Sequence, residues 1–210
     1  MIPITLTGPD GKEVKGEIPQ SWKEVSTEKG LRFVELFLDG EPTEVEKLSV
    51  LLGIEIELLK SVSISSLQDA LQLTWWATAD QLDQLVKPQH EFTFQKQKFK
   101  LDSKDFFDCS FGLYSDMNKL EQEKGMMQSI PYKIAAYCRL EGEEYDWDLA
   151  LKRGKEFFEL PFVTVWNLAN FFLLARQVLS SSQSGLEKQS QSLKRLEQEY
   201  RNSIKTGVTT

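Results

Sequence analysis

The stretch TEVEKLSVLLG, residues 43–53, decides how the rest of the chain is read. Thr43 stands three residues before Glu46, the spacing of a capping box, in which each side chain bonds the other residue's backbone N–H. Val45, Leu48, Leu51 and Leu52 form one apolar helical face, and Gly53 supplies the left-handed residue that ends it. A helix is therefore predicted over 44–52.

Working toward the amino terminus, Leu31, Val34 and Leu38 recur at helical steps behind Ser26, Thr27 and Glu28, which predicts a second helix stopped by Asp39 and Gly40. Strand is the alternative for 31–38, since Phe33, Val34 and Phe37 also suit a sheet. Earlier still, Ile2, Ile4 and Leu6 alternate, Gly8 to Gly11 offers turn chemistry, and Val14 and Ile18 follow; the chain opens with a β-hairpin that Pro19 ends.

Toward the carboxyl terminus, Ile56, Leu59 and Lys60 predict a short helix, and Ser66 with Asp69 predicts a longer one through Ala70, Leu71 and Trp75 toward Leu82. Lys87 and Pro88 break the pattern. Phe92 and Phe94, then Phe99 and Leu101, flank a polar turn and predict a second hairpin. Helices follow around 117–123, 131–138, 147–158 and 162–179, with an acidic turn at 141–144. The expected fold class is α+β, predominantly helical, with two small β-hairpins each followed by a helical cluster and a polar C-terminal helix. The expected organisation is 1–86, 87–180 and a polar tail, 181–210.

The chain has 210 residues, 25 basic and 32 acidic side chains and a formal charge of −7, so no global field draws it to nucleic acid or anionic lipid. Its amino terminus lacks the basic head and apolar run of a secretion signal, which gives a cytoplasmic expectation. The 160–175 stretch, 16 residues without a charge, is short for a bilayer span of about 20 residues and contains Asn167 and Asn170, so it reads as a buried helix. One histidine and two cysteines exclude most zinc sites and a disulfide framework, and Cys109 and Cys138 read as small core residues. No cofactor is expected.

A few clusters hold residue types that could carry chemistry. The 12 glycines never form a phosphate loop or a dinucleotide fingerprint. His90 and Cys109 could in principle form a thiol–imidazole pair, but no nucleophile motif surrounds them. Glu141, Glu143, Glu144, Asp146 and Asp148 are rich in oxygen ligands, yet their spacing is not that of a calcium loop, and Asp146 or Asp148 is better read as a helix cap. Lys96, Lys98 and Lys100 alternate with Phe94 and Phe99 as an exposed strand face alternates with a buried one, a simpler reading than a nucleic-acid stacking surface.

Trp75, Trp76, Phe157, Phe158, Phe162, Trp166, Phe171 and Phe172 give the densest signal, as adjacent pairs or close neighbours on helices. Adjacent helical residues point about 100° apart, so one member of a pair tends to face away from a single core. Either two subdomains cover both sides, or an apolar face receives another chain. From Ser180 the composition turns polar, and Leu186, Leu193 and Tyr200, spaced by seven with Leu196 between, leave one narrow stripe for self-association or docking.

The segment IPQSWKEVS, residues 18–26, resembles a phrase near the start of small proteins in tailed-phage morphogenesis clusters. The helix–Gly–helix of 43–59, and Tyr145, Asp146 and the helices to Phe158 and through 162–174, extend the likeness over 18–179. This pattern resembles the tail assembly chaperones, which are non-catalytic and accompany the tape measure protein before the tail tube polymerises. The resemblance implies a binding protein for tape measure or tail tube protein, with Trp75, Trp76, Phe158 and Trp166 as contact residues and no nucleic acid or membrane partner. The tail after Ser180 lies outside it, leaving a structural component of the neck or tail of the virion as the alternative, and an enzyme of unknown type as a second.

Overall fold

The computed structural model describes residues 1–38, 40–87, 89, 91–101 and 110–170. They form a predominantly helical α+β fold with one two-stranded and one three-stranded antiparallel sheet. Cys109, His90 and the stripe Leu186, Leu193, Leu196 and Tyr200 lie outside the described residues.

The chain divides into two compact units. The first is Met1–Leu85 with Lys124–Ser129 and Phe158–Val163; the second is Val86–Glu123, Ile130–Phe157 and Thr164–Thr210. The division at 85/86 falls one residue from that read in the sequence, but two short segments from the later half of the chain belong to the first unit.

In the first unit, β1 (Ile2–Thr7) pairs with β2 (Glu13–Ile18), Ile4 opposite Gly16 and Leu6 opposite Val14. This register puts Leu6 and Ile18 on the buried face and Thr5, Lys15 and Glu17 in solvent. A single 3-10 turn at Trp22–Glu24 leads into α1 (Thr27–Leu38), where the strand alternative fails. Burial fits a helix, since Thr27, Gly30, Leu31 and Val34 recur at i, i+3, i+4 and i+7 along one face and Phe33 is buried on its flank. The capping box of α2 (Glu44–Leu52) forms as its spacing requires: Glu46 N–H donates to Thr43 Oγ1 at 3.3 Å and Thr43 N–H donates to Glu46 Oε2 at 2.7 Å. Gly53, at φ 71°, closes that helix, and the Lys29 ammonium donates to the Leu51 carbonyl at its end (2.9 Å).

The short α3 (Ile56–Lys60) precedes α4 (Ile64–Leu73) and α5 (Ala79–Gln84). The single long helix expected from Ser66 toward Leu82 is thus two. Its start is set by Ser63, whose hydroxyl accepts the Ser66 N–H, and its end by Thr74, whose hydroxyl donates to the Leu71 carbonyl (3.1 Å). Leu6, Ile18, Leu48, Leu52, Leu59 and Val62 form a core cluster under this hairpin, each buried side chain contributing about 1.5–3 kcal/mol.

In the second unit, β3 (Glu91–Phe94), β4 (Gln97–Leu101) and the two-residue β5 (Cys138–Arg139) form a sheet in that order. The β3–β4 turn holds only Gln95 and Lys96, both at positive φ, 48° and 64°. Helices α6 (Phe111–Lys124), α7 (Ile130–Tyr137) and α8 (Trp147–Glu156) follow, and α8 is capped by Asp146, which accepts the Leu149 N–H at 2.7 Å. After a 3-10 turn at Phe157–Glu159, helix α9 runs from 162 to 170, the last described residue, and buries Val165, Leu168 and Ala169.

Candidate functional site

The four aromatic residues singled out in the sequence separate by burial. Thr74 stops α4, and the chain turns tightly as the Ala77 N–H donates to the Thr74 carbonyl (2.9 Å) and the Thr78 N–H to the Trp76 carbonyl (3.0 Å). The two tryptophans of that turn point differently. Trp76 lies edge-on to Trp22 with ring centroids 5.2 Å apart, and its Nε1–H donates to the Leu73 carbonyl at 3.1 Å. Trp75 stands in solvent at 75% exposure.

On the same helix and turn Ile64 is 77% exposed and Leu73 40%, but a separation of nine residues sets these two side chains on opposite faces of α4, about 13.5 Å apart along its axis, so Trp75 is the large exposed anchor of this turn. Removing about 150 Å² of such indole surface from water is worth about 4 kcal/mol before the costs of association. Behind it the unit is closed: Trp22 packs against Phe33 (5.0 Å), Trp76 and Phe162 (5.4 Å). Trp76 is held in that cluster and half-buried, and Phe158 is half-buried in the same unit.

Trp166 belongs to the second unit and is 7% exposed, so in this chain it is a core side chain and not a surface anchor. The reason is its place on α9, whose buried residues include Val165 and Ala169. Beside the sheet, Phe92 stacks on Phe99 at 5.3 Å and Phe157 meets both edge-on. Phe92, Phe99 and Leu101 face inward while Lys96, Lys98 and Lys100 are exposed, the alternation expected of a half-buried hairpin. Sequence reasoning missed Ile64 as a surface residue, because an exposed apolar side chain at the first position of a helix breaks no periodicity that could reveal it.

The polar face of the three-stranded sheet borders an open groove of about 700 Å³, lined among others by Lys98, Lys100, Arg139, Glu91 and Glu143. Two of its carboxylates, Glu91 and Glu143, are already engaged. Glu91 pairs with Lys98 at 2.8 Å, and Glu143 accepts from Arg153 (2.8 Å) and from the Leu140 N–H (3.0 Å). Arg153 in turn lies over the Phe99 ring at 4.9 Å, which ties the acidic turn to the sheet.

Among the described residues of the second unit, Lys133, Cys138 and Tyr145 are displaced from their ordinary ranges. Burial lowers the Lys133 ammonium to about 8, although it contacts the Glu121 carboxylate. Burial raises the Cys138 thiol, which makes it an unreactive core sulfur. Burial and the hydrogen bond that Tyr145 donates to Asp116 (2.8 Å) both raise the Tyr145 phenol. None of the acidic or sulfur-bearing groups converges: among the described residues no three His, Cys, Asp or Glu side chains are placed to hold a metal ion. Among the same residues no helix is long and apolar enough to cross a membrane. Comparison of the chain with protein-family models, with curated proteins and with solved structures returns no match.

Proposed function

We propose that this chain is a non-catalytic morphogenesis protein of a tailed phage, a tail assembly chaperone that holds tape measure or tail tube protein through the exposed indole of Trp75. The supporting observation is a tryptophan 75% exposed on a unit whose other two tryptophans, buried Trp22 and half-buried Trp76, pack edge-on against each other. Large aromatic side chains supply most of the energy of protein interfaces, and an indole left in water is better explained by a partner than by folding. The sequence resemblance supplies the kind of client. An amphipathic helix of the client would lay its apolar side against Trp75. On this reading the protein works in the host cytoplasm and leaves before the particle is complete.

The alternative is a permanent component of the neck or tail. It draws on the stripe of Leu186, Leu193, Leu196 and Tyr200, which could pack against a neighbouring copy. Co-expression with the neighbouring tape measure and tail tube proteins, pull-down through this chain and inspection of purified particles separate the readings. Capture of either client with absence from particles supports the chaperone; a fixed copy number in particles supports the virion component. Failure to capture either client, together with absence from particles, would sink both.

A further inference from the structure

The charge of the chain is divided unevenly between its two units. The first, which carries Trp75, holds eight Lys and Arg side chains against 16 Asp and Glu, a formal charge of −8. The second holds 17 against 16. The negative excess of the chain therefore resides in the unit that exposes the indole. Most cations of residues 1–85 are already engaged there. Lys12, Lys15, Arg32, Lys47 and Lys60 each pair with an acid no more than four residues away in the chain, and Lys29 is held on the Leu51 carbonyl.

The imbalance extends to the stretch around Trp75. From Ser61 to Leu85 the sequence contains Asp69, Asp80 and Asp83 and no Glu, Lys, Arg or His. Asp69 and Asp80 are both exposed, and neither makes an ion pair among the described residues. Trp75 stands six residues after the one and five before the other. The 3-10 turn whose Trp22 packs on Trp76 brings one exposed cation, Lys23, next to Glu24, whose carboxylate pairs with the Met1 ammonium.

An exposed indole in a negative field selects its partner by charge as well as by apolar contact. Nucleic acid and anionic lipid present phosphates and are repelled, as is the first unit of a second copy. A Lys or Arg side chain suits both features: its apolar stem lies along the ring, and its charge is drawn to the ring face and to the carboxylates nearby. We propose that the Trp75 surface receives a basic amphipathic helix of another protein, its apolar side on the indole and its Lys and Arg side chains in the field of Asp69 and Asp80. This rests on the reading of Trp75 as a partner-binding residue and names the chemistry of the client segment.

The test titrates the full-length chain into two labelled helical peptides of about 18 residues, five turns, and reads fluorescence anisotropy. Both peptides carry leucines along one face; the remaining positions are Lys, Arg and Gln in one and Glu and Gln in the other. The basic peptide is expected to bind at least about tenfold more tightly than the acidic one at low ionic strength, with the gap closing as salt is added. Trp75→Ala should remove most of the basic peptide's binding, and Asp69→Asn/Asp80→Asn should weaken it severalfold. Equal affinity for the two peptides, binding of neither, or basic-peptide binding that Trp75→Ala leaves intact overturns the proposal. Capture of tape measure or tail tube protein is measured in parallel at low and high salt. Capture that salt leaves unchanged would keep the chaperone reading and remove the basic partner, whereas basic-peptide binding through Trp75 without capture of either protein would do the reverse.

Discussion

Two helical glycines let an aromatic ring close against a helix, one in each unit, and they differ in where the ring comes from. In α8, a Cβ on Gly154 would lie 2.4 Å from the Tyr132 ring and 2.7 Å from the Tyr132 Cα. The ring there is supplied by α7, one helix earlier in the chain. In α1, the three atoms nearest a Cβ on Gly30 all belong to the ring of Phe162, which arrives from late in the described chain. The first is a local helix pair in which backbone approaches backbone. The second is a long-range closure held by a side chain, and a side chain can turn where a backbone cannot.

That contrast sets the order of the effects. Gly154→Ala must push α7 and α8 apart and is expected to cost about 3 kcal/mol in urea unfolding, with no second substitution at Tyr132 restoring it fully, because the Tyr132 Cα remains in the way. Gly30→Ala is expected to cost about 2 kcal/mol, and Phe162→Ala, which removes Cγ, Cδ2 and Cε2, the three atoms nearest the added Cβ, should make the double variant lose clearly less than the two single losses together. Equal rescue at both sites would erase the distinction between a backbone and a side-chain closure.

A second contrast sharpens the description of the second unit by pH. Lys133 sits at about 8 in the folded chain against 10.5 in the unfolded one, so between those values the unfolded state holds the proton that the folded state has lost. Stability should therefore rise from about pH 8 to 10.5, and below pH 8 this contribution is constant. In Lys133→Met the rise should disappear from the urea midpoints measured across that window. An unchanged rise would assign it to another group.

The smallest effect lies in the β3–β4 turn. Gln95 and Lys96 both hold left-handed backbone, which a side chain with a Cβ adopts at a cost and glycine adopts without one. Lys96→Gly is expected to raise stability by about 1 kcal/mol, read as a higher urea midpoint. A lower midpoint would show that the lysine earns more by its contacts than its backbone costs.

These comparisons also explain what the sequence disclosed. Signals that close within a few residues were readable: the Thr43–Glu46 box, the Gly53 stop, the Asp146 cap and the alternation of the two hairpins each rest on neighbours. The start of α4 was read three residues late because Ile64, its first residue, is exposed and adds nothing to the apolar face, while Ser63 caps silently before it. Its end was overrun because Leu71 and Trp75 keep helical spacing across the Thr74 stop. The two-residue β5 and the Ser26–Pro161 bridge left no local trace, since each is made by a partner far away in the chain. The candidate site was half legible. Clustered aromatic residues drew attention to the turn at Trp75 and Trp76, but which of the two faces water depends on Trp22, and burial of Trp166 depends on α9 as it packs.

The most direct measurement pairs thermal melting with client capture for Trp75→Ala and Trp166→Ala. The expected result is a Trp75→Ala chain that melts with the unmodified protein yet loses tape measure or tail tube protein in the pull-down, while Trp166→Ala loses about 3–5 kcal/mol of stability as a truncated core tryptophan should. A Trp75→Ala chain that captures its client undiminished, or that unfolds as readily as Trp166→Ala, would contradict the assignment of the Trp75 surface to partner binding.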